Sequence, residues 1–480
     1  LVPSGVPVRL RISLPNNIMK FKNTNNVKIK KLDYIDPIEV FKKFQDYNEL
    51  IFFDSASKSQ KNNRYSYIAL DPVHSYKFYD RYKKNIFDKN TEKEIKKLYK
   101  KFSFQKKSGY PNFQCGLAGY ITYDHCLGIE DIKSIKKEII VNDNLYLGMF
   151  DIVLAFDLKI KKTYIFSYDL DYFFGKKNSI SHNLRREKII NLYKIPRIET
   201  KKKNIEEFKW RSEINKNEYL KKVKKLLSYI RSGDIFQANF TQRFTSTISK
   251  NFSSIDTYLL YRNRTNTPFS VYLKNGSKHI LSYSPERFLK LDKNIVLTSP
   301  IKGTIKRDAN IKKDLKLKSK LLKSSKDLAE NLMIVDVLRN DLSRVCKFGS
   351  VKVNKLAQLE SYQNVHHLVS SIKGTLLKNK DIFDLLKATL PGGSITGAPK
   401  IRAMEIIDDL EKSKRKVYAG GIGYFSANGE FDTCIALRTA VVKNNKFYVQ
   451  AGAGIVADSV PTKEYKETVN KAKALINALR

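Results

Sequence analysis

Residues 418–456 read YAGGIGYFSANGEFDTCIALRTAVVKNNKFYVQAGAGIV, and this stretch decides the fold class. Its β-like runs are interrupted at Asn428-Gly429 and at Asn444-Asn445, dipeptides that are typical of tight turns between antiparallel strands. We therefore predict a meander of three strands, over residues 418–426, 431–442 and 446–456. Hairpins with helices set between them indicate an α+β protein and not a parallel doubly wound sheet.

Helical periodicity surrounds these strands. Three segments place apolar side chains on one face at three- and four-residue steps. They are residues 219–230, which end before Gly233; residues 327–345, with an apolar stripe of Leu328, Leu332, Val335, Leu342 and Val345; and a last helix from Pro461, with Tyr465, Val469, Ala472, Ile476 and Leu479. Proline at the start of a helix and glycine just past its end are typical boundary signals.

The N-terminal half has short β-like runs instead, at residues 50–53, 65–70 and 145–156. Residues 175–204 are polar and rich in lysine, which predicts a mobile connection or an exposed helix. We divide the chain into a tail of doubtful origin (1–26), an N-terminal region (27–195), a connection (196–212) and a C-terminal region (213–480).

Composition excludes several classes of protein. The chain has 480 residues, of which 42% are hydrophobic and 11% aromatic, so it can form a large core and is not a disordered chain. Its four cysteines are far apart and form no CxxC pair, which argues against a zinc ribbon or a disulfide scaffold and fits a reducing cytoplasm. The sequence has no uncharged apolar run long enough to predict a transmembrane helix, so we expect no membrane association.

The net charge of +42 would attract nucleic acid, anionic membranes or acidic small molecules. Lysine is accompanied throughout by asparagine, isoleucine, tyrosine and phenylalanine, which also have A/T-rich codons. We therefore favour a compositional origin of the charge over a dedicated surface. The sequence has no recognisable basic-aromatic module, so we expect no nucleic-acid partner. A non-catalytic polyanion-binding protein remains an alternative.

Three acids are candidate metal ligands. Glu464 and Glu467 lie three residues apart on one face of the last helix, and their charges repel unless the helix N-terminus or a cation compensates. Glu330 has Ile334 and Val337 on its flank, so a carboxylate there must be protonated or partnered. Oxygen-only ligands suit Mg²⁺. These features are compatible with two interpretations, a solvated helix turn and a Mg²⁺ site.

Arg438 is a candidate anion-binding residue. On the predicted strand one face reads Cys434, Ala436, Arg438, Ala440, and a guanidinium among small apolar neighbours seeks a carboxylate. Residues 451–454 (AGAG), expected across the hairpin, would let a ligand carboxylate approach the backbone N–H groups. The alternative is a buried salt bridge to a protein acid.

Lys302 lies just before Gly303, and Glu286 precedes it by sixteen residues. A lysine near a carboxylate can act as a nucleophile if desolvation lowers its pKa, with the acid moving the proton. In so lysine-rich a chain, surface charge is the ordinary interpretation. The glycine-rich residues 391–400 lack phosphate-loop spacing and predict a tight loop that offers N–H groups and hydroxyls to a small ligand. His366-His367 has no metal-binding context.

Six segments resemble the chorismate-utilising enzymes, the family of anthranilate synthase large subunits, aminodeoxychorismate synthases and isochorismate and salicylate synthases. They are residues 232–242 (SGDIFQANFTQ), 284–288 (SPERF), 327–336 (DLAENLMIVD), 391–405 (PGGSITGAPKIRAME), 418–424 (YAGGIGY) and 451–456 (AGAGIV). The N-terminal half matches more weakly, at residues 64–67 and 116–120. The resemblance implies two large antiparallel sheets packed as a sandwich with surrounding helices. Region 27–195 is then anthranilate-synthase-like, and 213–480 is the chorismate-binding catalytic region.

The resemblance also implies roles for individual residues. The Mg²⁺ ligands would be Glu330, Glu467 and Glu464, with Mg²⁺ holding the ring carboxylate of chorismate. The substrate-binding residues would be Tyr418, Arg438, Gly452, Gly454, Gly303 and Thr304. The catalytic residues would be Lys302, Glu286 and His367, the last near C4 of the ring.

Lys302 favours the aminodeoxychorismate branch of the family, because anthranilate synthases typically read PIAGT where this chain reads PIKGT. That branch implies attack of Lys302 on C2 while the 4-hydroxyl leaves with help from Glu286. Ammonia then attacks C4 and gives 4-amino-4-deoxychorismate for 4-aminobenzoate and folate synthesis. The chain lacks a glutaminase nucleophile motif, which implies a heterodimer with a glutamine amidotransferase subunit. The nearest alternative is an anthranilate synthase large subunit of tryptophan biosynthesis with an unusual lysine.

Overall fold

The computed structural model describes residues 27–56, 64–79, 89–134, 136, 143–170, 181–196, 209–249 and 252–477. The predicted tail and most of the predicted connection lie outside the described residues. The helices are α1 (Pro37–Lys43), α2 (Lys89–Lys101), α3 (Tyr123–Leu127), α4 (His182–Lys194), α5 (Lys216–Arg231), α6 (Ser254–Thr265), α7 (Ile311–Leu322), α8 (Ser325–Ser343), α9 (Ile382–Thr389), α10 (Lys400–Leu410) and α11 (Pro461–Asn477).

The strands follow the same chain order. They are β1 (Lys28–Leu32), β2 (Glu49–Asp54), β3 (Tyr65–Leu70), β4 (His74–Tyr79), β5 (Gly116–Ile121), β6 (Asp143–Phe150), β7 (Ile152–Asp157), β8 (Lys162–Ser167), β9 (Arg211–Ser212), β10 (Gln237–Thr247), β11 (Phe269–Asn275), β12 (Lys278–Ser284), β13 (Arg287–Asp292), β14 (Ile295–Ser299), β15 (Ile301–Lys306), β16 (Lys352–Ser361), β17 (Val365–Thr375), β18 (Gly397–Ala398), β19 (Gly421–Ser426), β20 (Phe431–Ile435), β21 (Thr439–Lys443) and β22 (Lys446–Ile455).

The strands form two large sheets with antiparallel pairing. The larger sheet has 12 strands in the order β1-β8-β7-β3-β2-β11-β12-β21-β22-β10-β18, with β9 on β10. The smaller sheet has 10 strands in the order β15-β17-β14-β13-β20-β19-β5-β6-β4, with β16 on β17. The predicted α+β sandwich is confirmed.

Both sheets combine strands from the two halves of the sequence. In the larger sheet β2 pairs with β11, so that Phe53 faces Val271, and in the smaller sheet β5 pairs with β19. The halves therefore share their backbone hydrogen bonds. The predicted boundary between regions 27–195 and 213–480 stays a division of the sequence, and strands from both sides of it lie together in each sheet.

Apolar side chains fill the space between the two sheets. Further apolar side chains cover the outer face of the larger sheet. Between the sheets, Phe113 stacks on Tyr424 with ring centroids 4.7 Å apart. A second cluster lies under α1, α4, α6 and α11 on the outer face of the larger sheet, and a third lies under α5 and α10. This layering is the usual way to cover both faces of an amphipathic sheet.

The predicted continuous strand over residues 431–442 is wrong. β20 belongs to the smaller sheet and β21 to the larger one. Between them the Leu437 N–H donates to the Ile435 carbonyl at 2.7 Å, and Arg438 has a left-handed φ of 48°. A left-handed residue ends a strand ladder, whereas alternation in the sequence looks the same on either side of the bend. The expected meander is thus two hairpins in different sheets.

The predicted apolar stripe of α8 is wrong at two positions. Leu328 and Leu332 are 37% and 49% exposed. The buried face runs instead through Asn331, Ile334, Val335, Leu338 and Leu342. Apolar residues occur on both flanks of this helix, so periodicity did not decide which flank faces the core. In the observed orientation Glu330 Oε2 lies 3.9 Å from Lys302 Nζ on β15.

The predicted connection and the predicted last helix have different outcomes. Residues 182–194 form α4, which is packed and not exposed: Ile189, Ile190 and Tyr193 are buried, and Asp151 accepts a hydrogen bond from Arg185 Nη1 at 3.1 Å. The polarity of the local sequence did not predict this ion pair, because Asp151 lies 34 residues from Arg185 in the sequence. The last helix is confirmed, with Leu479 outside the described residues. No helix of the described part is long and apolar enough to cross a bilayer.

Candidate active site

Lys302 and Glu286 lie together in the interior. Burial lowers the pKa of Lys302, and the carboxylates of Glu330 and Glu286 partly oppose that shift. The Lys302 Nζ is 3.9 Å from Glu330 Oε2. Burial raises the pKa of Glu286 to about 7 against the influence of Ser394 and of Lys302. A lysine and an acid whose pKa values are pushed toward each other are suited to proton transfer near neutral pH.

The glycine-rich loop positions Glu286. A 3₁₀ turn over Gly393–Ile395 brings the Ser394 hydroxyl to Glu286 Oε1, to which it donates a hydrogen bond at 2.7 Å. Gly393 is required here, because a β-carbon at that position would lie 2.7 Å from Val337 Cγ1. The loop therefore offers its hydroxyl to the Glu286 carboxylate, whereas the sequence predicted a hydroxyl offered to a ligand.

One of the three predicted metal ligands, Glu467, influences the other two. Burial raises the pKa of Glu330 and of Glu464, and the charge of Glu467 adds to both shifts. Glu467 itself is half exposed and pairs with Lys471 at 2.7 Å. Within the described ranges, no three acidic, histidine or cysteine side chains are already close enough to hold an ion. A cation between these carboxylates would relieve their repulsion, so the chemistry of the donor set fits a hard ion such as Mg²⁺.

Tyr418 and two glycines form a second part of the site. Burial raises the pKa of Tyr418 to about 12, and its hydroxyl is hydrogen-bonded to the Asn239 side chain and the Gly452 backbone. Gly452 and Gly454 pair with Thr241 and Asn239 of β10. A β-carbon at Gly452 would lie 2.5 Å from Thr241 Cγ2, so only glycine fits there.

Arg438 lies at the bend between the sheets and is half buried. It makes no ion pair with any acid in the described part of the chain, so the alternative of a buried protein salt bridge is not observed. Its charge lowers the pKa of His367 and opposes the rise in the pKa of Tyr261. An arginine that forms no ion pair within the described ranges is suited to bind a substrate carboxylate.

His367 is a buried, neutral side chain that senses the charge of Arg438. Its Nδ1 is 2.7 Å from the Thr304 hydroxyl, and burial, followed by the charge of Arg438, lowers its pKa to about 3. Gly303, with φ of 87°, lets β15 turn between Lys302 and Thr304. His366 points elsewhere, to Asp314 at 3.1 Å, as a structural histidine would.

Several residues of the site have no role predicted from the sequence. Lys471, one turn after Glu467, donates to the Gly452 carbonyl at 3.0 Å. Ser394 and Gln237 lay inside quoted segments without an assigned role. Arg415 donates to Glu411, to the Ile395 carbonyl and to the Asn239 carbonyl, and so joins the loop to β10. Only the four-residue spacing of Glu467 with Lys471, and of Glu411 with Arg415, could have indicated these pairs.

A cavity of about 240 Å³ lies elsewhere, among Phe53, Asp54, Tyr65 and Arg287. None of the catalytic or metal candidates lines it. Asp54 at this cavity is bound to Arg262 Nη2 at 3.1 Å. The size of a cavity therefore does not by itself indicate where the candidate catalytic residues lie.

Comparison with known proteins agrees with this geometry. The sequence matches the model of the chorismate binding enzyme family over residues 49–477. It is 37% identical to anthranilate synthase component 1 of Aquifex aeolicus over 93% of each chain. It is 39% identical to aminodeoxychorismate synthase component 1 of Escherichia coli over 76% of this chain and 77% of that one.

Solved structures agree as well. Anthranilate synthase component I from Streptococcus pneumoniae superposes with a TM-score of 0.76 at 32% identity, over 87% of this chain and 93% of that one. The menaquinone-specific isochorismate synthase of Escherichia coli has a TM-score of 0.72 at 17% identity, over 95% of each chain, which supports the fold alone.

Proposed function

The chain belongs to the chorismate binding enzyme family, and we propose that it aminates chorismate at C4 to give 4-amino-4-deoxychorismate. The observation that carries the proposal is the pair of Lys302 and Glu286. Burial lowers the pKa of the lysine and raises that of the acid to about 7, and both shifts favour the neutral amine and the protonated carboxyl that such a reaction needs. An amination without a covalent intermediate would not need such a lysine.

In the first step the neutral amine of Lys302 attacks C2 of chorismate. The ring double bonds shift, and the 4-hydroxyl leaves as water with the proton of Glu286. The adduct nitrogen is then an ammonium and Glu286 a carboxylate. The Ser394 hydroxyl, 2.7 Å from Glu286, stabilises this carboxylate.

In the second step ammonia attacks C4 and the double bonds return. The C2–nitrogen bond breaks and Lys302 leaves as a neutral amine. Glu286 takes a proton from the new ammonium at C4, which restores both residues and leaves the pyruvyl ether intact. Splitting one difficult displacement into two is the usual benefit of a covalent intermediate.

The groups around Lys302 and Glu286 would orient the substrate. Arg438, unpaired in the described structure and near His367, would bind one carboxylate, with Tyr418 and the backbone of Gly452 and Gly454 beside it. Glu330, Glu464 and Glu467 would hold Mg²⁺ together with the ring carboxylate. When bound, the ion would neutralise charge on the substrate.

Ammonia would come from a glutamine amidotransferase subunit. The relatives are called component 1, a name that implies a second component, and this chain shows no glutaminase motif of its own. The four buried thiols support a reducing compartment, which we propose is the cytoplasm.

Lys302→Ala tests the proposal directly. With chorismate, Mg²⁺ and an ammonium salt, we expect loss of C4 amination, while Lys306→Ala, an exposed lysine at the end of the same strand, serves as the matched control. Amination by the Lys302→Ala variant at the rate of the unmodified protein would eliminate the covalent step.

An anthranilate synthase activity is the second candidate, because relatives with that name match at similar identity over more of the chain. It would use the same site and leave Lys302 without a role. The product distinguishes the two, since anthranilate has lost the pyruvyl group. Membership of an enzyme family leaves little support for a non-catalytic polyanion-binding protein.

A further inference from the structure

Arg415 is a buried guanidinium that the mechanism above does not use. Its Nε and Nη2 donate to the two oxygens of the buried Glu411 carboxylate at 2.9 and 2.6 Å. That carboxylate is itself fixed on β10, because its Oε1 accepts from the Thr241 N–H and hydroxyl at 2.8 and 2.7 Å. A guanidinium that is bound through two nitrogens has a fixed plane, so the directions of its remaining N–H groups are fixed as well.

The remaining N–H groups bind the backbone on two sides of the site. Nη1 of Arg415 donates to the Ile395 carbonyl at 2.7 Å, and Nη2 also donates to the Asn239 carbonyl. Ile395 ends the 3₁₀ turn of the glycine-rich loop, and Asn239 lies on β10 opposite Gly454. The Asn239 side chain adds a donor to the same Ile395 carbonyl at 3.3 Å. One guanidinium therefore fixes the loop relative to the strand.

The contact with the loop bears on the catalytic acid. Ser394 directly precedes Ile395 in the 3₁₀ turn, and its hydroxyl donates to Glu286 Oε1 at 2.7 Å. A serine side chain has one rotatable bond before its oxygen, so the position of the hydroxyl follows that of the backbone. Release of the Ile395 carbonyl would therefore weaken the hydrogen bond that opposes the rise in the pKa of Glu286.

The contact with the strand bears on Tyr418. The Asn239 side chain is hydrogen-bonded to the Tyr418 hydroxyl, which also bonds to the Gly452 backbone. The charge of Arg415 acts on the same hydroxyl and opposes the rise in its pKa. Tyr418 is one of the groups assigned above to a substrate carboxylate. The position of that carboxylate would therefore depend on Arg415 as well.

We propose that Arg415 is a positioning residue that fixes the catalytic acid and the substrate-binding tyrosine relative to each other, through the Ile395 and Asn239 carbonyls. It donates to protein acceptors and needs no contact with the substrate. The proposal rests on the proposed function only in that Glu286 is the acid and Tyr418 a substrate-binding group. Arg415→Lys separates this role from the buried charge, because it keeps the charge while one nitrogen cannot reach acceptors on both sides of a guanidinium.

The first measurement is the titration of Glu286 without substrate, by difference infrared spectroscopy of its protonated carboxyl group against Glu286→Gln. We expect Arg415→Lys to move the midpoint upward by about one pH unit, as Ser394→Ala should, because each costs the carboxylate a hydrogen bond. In the double variant the midpoint should move no further than in Ser394→Ala. The Lys302 charge and the Ile301 N–H, which also act on Glu286, stay in place in these variants.

The second measurement is KM for chorismate. Because Asn239 no longer holds Tyr418 in place, Arg415→Lys should raise KM by about threefold or more. A smaller folded fraction alone would lower the maximal rate and leave KM unchanged. If Arg415→Lys does not fold, the double variant of Arg415→Met with Glu411→Gln, which leaves no buried charge unpaired, replaces it in both measurements.

Arg185→Lys is the matched control. Arg185 is a buried arginine of α4 whose two terminal nitrogens donate to Asp151 at 3.1 and 2.5 Å. It should lower stability while leaving the Glu286 titration and KM unchanged. An unchanged Glu286 titration in folded Arg415→Lys, a further rise of the same size in the Ser394→Ala background, or an unchanged KM would overturn the proposal. The infrared titration needs no turnover and either amino product consumes chorismate, so formation of anthranilate would refute the proposed function and leave both tests readable.

Discussion

At the scale of single residues, the acid Glu286 determines the expected pH dependence. Its protonated form delivers a proton to the leaving hydroxyl, so turnover should fall as pH rises through about 7, the pKa that burial produces. Glu286→Gln should abolish this decline of the rate with pH, the basic limb of the profile, and lower the rate by roughly 10²- to 10⁴-fold. The measurement is a pH–rate profile. Ser394→Ala removes a donor to the carboxylate and should move the limb to higher pH, and a profile that neither variant changes would contradict the assignment.

A second prediction at the scale of single residues concerns the acid Glu467. Glu467→Gln removes one charged donor from the proposed Mg²⁺ site, so the Mg²⁺ concentration for half-maximal rate should rise by roughly tenfold or more. A Mg²⁺ titration of activity checks this. Glu405→Gln, at an exposed acid of α10 paired with Arg402, is the control. An unchanged titration for Glu467→Gln would remove that residue from the ligand set.

At the scale of elements, the ion pair of Glu411 and Arg415 joins the end of α10 to the glycine-rich loop and β10. Both side chains are buried, at 2.6 Å from each other. Arg415→Met leaves the Glu411 carboxylate buried without its cation, although Thr241 still donates to it, and should lower the free energy of unfolding by about 3–5 kcal/mol. The double variant with Glu411→Gln should regain most of that loss, as urea unfolding would show.

The control for that prediction is Lys225→Met, at an exposed ion pair with Asp409 3.0 Å long, which should change little. A double variant no more stable than Arg415→Met would contradict the account of the pair as a buried charge balance.

The elements also show how far sequence reasoning reaches. Local patterns predicted α5, α11 and the paired turns, because capping residues and apolar spacing act within a few residues. They did not predict the bend at Arg438 or the rotation of α8, since both depend on which sheet or face a distant segment covers. For the site, the resemblance identified Lys302, Glu286 and Glu330, which the structure brings together. Ser394 and the contact of Arg415 with β10 required the structure, because contacts between residues far apart in sequence leave no periodic signal.

At the scale of the whole molecule, the shared sheets predict that neither half folds alone. Residues 209–477 expressed without the N-terminal region would expose the edges of β11 and β19, which pair with β2 and β5 in the whole chain. We expect this fragment to aggregate or to lack a cooperative unfolding transition by circular dichroism. Co-expression with residues 27–196 should restore solubility and chorismate turnover. A fragment that is monomeric, folded and active by itself would contradict this view.

The central claim is that Lys302 commits this enzyme to amination at C4. The most direct measurement is the identity of the product that purified protein forms from chorismate, Mg²⁺ and an ammonium salt, by chromatography and mass spectrometry. We predict 4-amino-4-deoxychorismate, which retains the pyruvyl ether, and its loss in Lys302→Ala. Anthranilate as the product of the unmodified protein would contradict the account, and Lys302 would then have no part in the reaction.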